Sequence, residues 1–121
     1  MRELADQQEF EQLIGIGDPP SFPVPRLTII YFTATWCGAC RSLDLPSLET
    51  MSDNVLWLKC DIDNNNYTPG YCNVRSIPTF LAIADKKVIG MLQHNKTAKV
   101  QEWVQLYLDI HPSNASSPPK N

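Results

Sequence analysis

The stretch that most constrains this chain runs Ile29-Ile30-Tyr31-Phe32-Thr33-Ala34-Thr35-Trp36-Cys37-Gly38-Ala39-Cys40. An apolar, β-rich run gives way to a turn that holds two cysteines separated by two small residues. The run reads as a buried strand, and a Cys-x-x-Cys directly after it has the spacing of a redox pair. The physical reason is geometric. If the turn opens a helix, Cys37 lies at the exposed N-terminus and Cys40 one turn inside. The free N–H groups and positive dipole end there favour a thiolate on Cys37. Cys40 is then near enough to attack any mixed disulfide formed on Cys37. Trp36 covers the site, while Gly38 and Ala39 leave the sulfurs approachable.

At 121 residues the chain makes one domain with a single ordinary core. A net charge of -3 and a pI near 5.2 argue against nucleic acid or an anionic membrane as the main partner. The longest apolar runs are strand-sized, so no membrane span is expected. Met1 to Asp6 is polar and acidic, without the apolar centre of a signal peptide. The expectation is therefore a reducing compartment, the cytoplasm. There, four cysteines point to catalysis or metal before structural disulfides. Cys37, Cys40, Cys60 and Cys72 contain one close pair and no second, and the two histidines are isolated, so no metal site is expected. Sequons at Asn66, Asn95 and Asn114 are a mild excess over chance and carry little weight without a leader.

The rest of the chain reads as alternating elements. Met1 to Leu4 fits a short edge strand. Asp6 with Glu9 has the form of a capping box, Phe10, Leu13 and Ile14 share a helical face, and Gly15 can end the helix. Gly17 to Arg26, with four prolines, reads as a stiff surface loop. Leu27 to Thr33 is the central strand, apolar on both faces as a parallel sheet requires. A helix is expected from the cysteines to about Met51, bent at Pro46. Val55 to Cys60 is the next strand, and the strand–helix–strand order implies a right-handed parallel crossover. Asp61 to Asn73 reads as a loop with a short helix. Thr79 to Ala84 and Val88 to Leu92 flank Asp85-Lys86-Lys87 as an antiparallel hairpin. Val100, Trp103, Val104, Tyr107 and Leu108 form the apolar stripe of a last helix, with Thr97 as its cap. The tail from His111 to Asn121 has no apolar anchor and is expected to be disordered.

Two motifs carry a family resemblance. Trp36-Cys37-Gly38-Ala39-Cys40 closely resembles the active-site motif of thioredoxins, which usually have Pro in place of Ala39. Ser76-Ile77-Pro78-Thr79-Phe80 resembles the second signature of that family, a cis-proline loop leading into a strand. The resemblance covers roughly residues 1–110. It implies an α/β thioredoxin fold, with a mixed sheet of four or five strands and helices on both faces. It also makes Cys37 the nucleophile and Cys40 the resolving thiol of a protein-disulfide reductase. A cis Ile77–Pro78 bond would present the Ile77 backbone to an extended substrate strand, with Trp36, Ile77 and Pro78 as an apolar apron. No cofactor is called for. The implied partners are disulfide-containing proteins and a thioredoxin reductase or glutathione-type electron donor, and the protein is expected to be a monomer.

Departures from the family are informative. Tyr31 stands six residues before Cys37, where thioredoxins typically carry a buried aspartate thought to relay a proton to and from the resolving cysteine. A phenol is a poor base at neutral pH. Lys59, which faces that aspartate in the family, would lose its partner. His94 falls near a family glycine in the substrate groove, where it narrows the site or supplies a titrating group, or else is a solvated loop residue. Cys60 reads as a buried hydrophobe. Cys72 reads as a partly buried spectator or, as in some family members, a regulatory thiol. Two alternatives stay open: an oxidase or isomerase of an oxidising compartment, hinted at only by the sequons, and a binding subunit without turnover.

Overall fold

The structure is a computed structural model describing residues 1–20 and 24–110. The expected disordered tail, residues 111–121 with its sequon, lies outside the described residues, as do residues 21–23 of the Pro-rich connection.

Five strands form one mixed sheet: β1 (Arg2–Glu3), β2 (Leu27–Thr33), β3 (Val55–Asp61), β4 (Thr79–Ala84) and β5 (Lys87–Gln93), in the order β1-β3-β2-β4-β5. β2 lies at the centre, parallel to β3 and antiparallel to β4. Its side chains alternate between the two faces. Leu27, Ile29 and Tyr31 point into one core, closed by α2 (Leu45–Glu49) and α4 (Thr97–Ile110) through Leu48, Val100 and Val104. Ile30 and Phe32 point into the other, closed by α1 (Gln7–Leu13) and α3 (Tyr67–Tyr71) through Phe10, Leu13 and Tyr67. Two buried faces explain why the β2 sequence is apolar without alternation. The thioredoxin fold and the helices on both faces are therefore present, with the sheet at five strands.

Local chemistry sets the element ends. The Asp6 carboxylate accepts the Glu9 N–H at 3.0 Å, and Glu9 Oε1 accepts the Ala5 N–H at 2.7 Å, a reciprocal cap displaced by one residue from the usual box. The β4–β5 turn is tighter than the sequence suggested. Ala84 pairs with Lys87, leaving Asp85 and Lys86 as a two-residue turn at φ 52° and 66°. Both residues must be left-handed for the turn to match strand twist. Gly90 sits where α4 crosses β5, and a Cβ there would collide with the Tyr107 hydroxyl.

One expectation is corrected. The segment after the cysteines is not a single bent helix. A 3₁₀ turn spans Ala39–Ser42, the chain extends at Leu43, and α2 begins anew. Pro46 has no N–H to give, and its ring would clash with the carbonyl four residues back, so it is tolerated only in a first turn. Asp44 caps that new turn, accepting from the Ser47 N–H at 3.3 Å and the Ser47 hydroxyl at 2.6 Å. Thr97, expected to cap its own helix, instead accepts the Asp44 N–H at 2.9 Å. The Ser42 hydroxyl lies 2.9 Å from the Asn95 carbonyl. These bonds tie the chain after the cysteines to the start of α4 and the residues just before it.

Candidate active site

β2 ends at Thr33, and the chain turns so that the Cys37 N–H donates to the Ala34 carbonyl at 3.1 Å. Cys37 and Cys40 are joined in a disulfide, their Cα atoms 5.4 Å apart. The Cys40 N–H points at Cys37 Sγ, 3.1 Å away, a donor placed to favour negative charge on that sulfur. Both cysteines are buried, at 5% and 6% exposure, so the expected exposed position of Cys37 is corrected. Gly38 and Ala39, both exposed, form the open lip over the pair.

Trp36 is 63% exposed, and its ring is held by Nε1 donating to Asp63 Oδ2 at 2.9 Å. Sequence reasoning passed over Asp63. Its only signal was that an exposed indole N–H held in place needs an acceptor, and the polar loop after β3 offers several. Asp63 is positioned in turn by its own N–H, which donates to Asp61 Oδ1 at 2.9 Å.

The Ile77–Pro78 peptide is cis, and Ile77 forms a ridge between two hollows. One, of about 530 Å³, is walled by Trp36, Ile62, Pro69, Val74 and Ile77, with Arg75 at its edge. The other, of about 330 Å³, is walled by Ala39, Ile77, Pro78, Gln93, His94 and Asn95. His94 thus stands beside Pro78 and Ala39 and is half-buried. Its Nδ1 accepts the Lys96 N–H at 3.1 Å, which leaves Nε2 for the hollow.

Behind the disulfide is a third cavity of about 250 Å³, bordered by Cys37, Cys40, Tyr31, Lys59, Glu3 and Asp61. Tyr31 is buried and stacks on Phe80 with centroids 5.0 Å apart. Burial raises its phenol above the ordinary value, and a hydrogen bond with Thr33 only partly offsets this. Lys59 is in register with Tyr31 on one side and with Glu3 on the other. The carboxylate missing at position 31 therefore has a counterpart across Lys59, on β1.

The remaining cysteines stand apart from the pair. Cys60 is fully buried, and burial pushes its thiol up to about 12. Cys72 is half-buried in the α1/α3 core and pushed by burial up to about 11. It borders neither hollow beside Ile77. No group of three or more His, Cys, Asp or Glu side chains able to hold a metal occurs among the described residues. Among them, no helix is long and apolar enough to cross a membrane.

A disulfide pair just past the end of a central strand, with an exposed tryptophan before it and Ala39 within it sharing a hollow with a cis-prolyl peptide, defines a class: proteins of thiol–disulfide exchange. The chain belongs to the thioredoxin family, whose profile, Thioredoxin, matches residues 6–106. It is 34% identical over 113 residues to the thioredoxin of Rhodospirillum rubrum, covering 87% of this chain and 97% of that one. The X-ray structure of Fasciola hepatica thioredoxin superimposes with a TM-score of 0.74 at 29% identity, covering 88% of this chain and 98% of that one. A TPR repeat-containing thioredoxin of Arabidopsis thaliana is 46% identical over 66 residues. That match covers 53% of this chain but only 17% of the longer protein.

Proposed function

We propose that this protein reduces disulfide bonds in other proteins. In the reduced state the Cys37 thiolate attacks a substrate disulfide, releasing one substrate thiol and forming a mixed disulfide. Cys40 then attacks Cys37 Sγ, closes the intramolecular disulfide and releases the second substrate thiol. The substrate segment lies extended along the Ile77 backbone, with Trp36 and Pro78 as apolar flanks and His94 at the far side. A thioredoxin reductase or a glutathione-type donor returns two electrons to the pair. The protein acts as a monomer in the cytoplasm.

The observation that carries this reading is the Cys37–Cys40 disulfide, whose intervening Ala39 shares a hollow with Ile77 and Pro78. Dithiol-driven reduction of an exposed protein disulfide tests it. Cys37→Ser abolishes turnover, and Cys40→Ser accumulates a mixed disulfide through Cys37. Wild-type turnover in Cys37→Ser refutes the enzymatic reading. The reduction potential separates a reductase from an oxidant, because a two-electron couple changes tenfold in K per ~30 mV.

A further inference from the structure

We propose that Glu3, on the edge strand β1, takes up the proton that Cys40 releases, through water filling the cavity that joins them. The inference rests on the oxidoreductase reading above and names a group for its second step. In that step the Cys40 S–H bond breaks, and the sulfur's electron pair forms the bond to Cys37 Sγ. The Cys37–substrate bond breaks in turn, and its pair leaves on the substrate sulfur. One proton is left over at Cys40. A buried thiol in apolar surroundings ionises reluctantly, so a waiting acceptor speeds the step.

The candidates are the titratable and charged groups that face Cys40 around this cavity: Tyr31 from β2, Lys59 and Asp61 from β3, Glu3 from β1, and Arg41 from the 3₁₀ turn. Protonated lysine and arginine have no lone pair to offer, and Arg41 already donates to the Thr35 carbonyl at 3.0 Å. Tyr31 is a phenol packed flat on Phe80. Asp61 has an oxygen committed to the Asp63 N–H, in the loop that holds Trp36. The Glu3 carboxylate enters no hydrogen bond or ion pair among the described residues.

The register makes this a built arrangement. Glu3, Lys59 and Tyr31 are consecutive partners across three parallel strands, so their side chains emerge on the same face as Cys40. Neighbouring strands lie ~4.8 Å apart, which puts Glu3 about two spacings from Tyr31. Glu3 and Cys40 both border the cavity, whose volume of about 250 Å³ holds several water molecules at ~30 Å³ each. Lys59, between the two, places positive charge beside the thiolate as it forms. Glu3 itself is exposed, so a proton it accepts passes on to solvent. Glu3 touches neither sulfur and is a proton-relaying residue that acts through water.

Stopped-flow reaction of the reduced protein with dithiobis(nitrobenzoate) separates the two steps. The first thionitrobenzoate reports attack by Cys37, and the second reports resolution by Cys40. Glu3→Gln is expected to leave the first phase unchanged and slow the second about tenfold at pH 7, less than the ~10²–10⁴ of a base in direct contact. The two proteins converge at alkaline pH, where hydroxide replaces the relay, and Glu3→Asp recovers most of the rate. Overturning results are an unchanged second phase in folded Glu3→Gln, a slowing by the same factor at every pH, or the full effect appearing in Asp61→Asn. Absence of the first phase in the wild type overturns the oxidoreductase reading as well.

Discussion

Tyr31→Asp puts a carboxylate on the central strand, in register with Lys59 and in the wall of the cavity that Cys40 borders. The cost is calculable in outline. Tyr31 is 2% exposed and stacked on Phe80. Truncating a buried aromatic costs about 3–5 kcal/mol, of which the ring pair contributes ~0.5–1.5 kcal/mol. The existing cavity lets water reach the new group, so the carboxylate is solvated and faces a lysine. That loss is a large fraction of a typical domain stability of ~5–15 kcal/mol, so unfolding is measured alongside the rate. A positioned base contributes ~10²–10⁴-fold to a proton-coupled step, so resolution at pH 7 is expected to quicken by about 10²-fold. Denaturant unfolding measures the stability loss, and the second phase of the stopped-flow reaction measures the gain. Adding Glu3→Gln to Tyr31→Asp should no longer slow that phase. A folded Tyr31→Asp protein whose mixed disulfide resolves no faster than wild type refutes the argument that proton removal limits the step.

Three further outcomes follow from packing and charge. Gly90→Ala drives a methyl into Tyr107, whose ring lies edge-on to Trp103 at 5.1 Å, and should cost about 1–3 kcal/mol of unfolding free energy; a second change, Tyr107→Leu, should recover part of it in a double-mutant cycle. The Cys60 thiol is pushed up to about 12 in the folded protein from an ordinary value near 9, so its stabilising contribution is complete below pH 9 and is lost as pH rises toward 12. Cys60→Val should therefore flatten the alkaline fall in the denaturation midpoint, and an unchanged slope would contradict the assignment. Asp63→Ala releases the Trp36 indole and should raise KM for a protein substrate a few-fold with kcat held, as steady-state kinetics would show.

Much of this protein is decided within short windows of sequence. The apolar run of β2, the cysteine spacing, the stripe on α4 and the Asp6/Glu9 cap depend on neighbours within about two helical turns, where propensity and periodicity act directly. So the central strand, the redox pair and the last helix were legible, and with the Ser76–Phe80 signature they indicated the fold. The break after Ser42 was less so: Pro46 signalled a disturbance, but whether the chain bends or restarts depends on Asp44 finding Ser47 and Thr97. What only tertiary structure decided is the surroundings of the sulfurs. His94 reaches Pro78 because β5 ends beside the cis-proline loop, and Asp63 reaches Trp36 across 27 residues of sequence. Glu3 comes to the Cys40 cavity only because β1 adds to β3 in the register that aligns it with Lys59 and Tyr31. A one-residue slip would turn Glu3 to the opposite face, and nothing in a two-residue strand specifies that register locally. Strand pairing is a long-range choice made by the whole core, so the groups that tune the chemistry were settled by the fold.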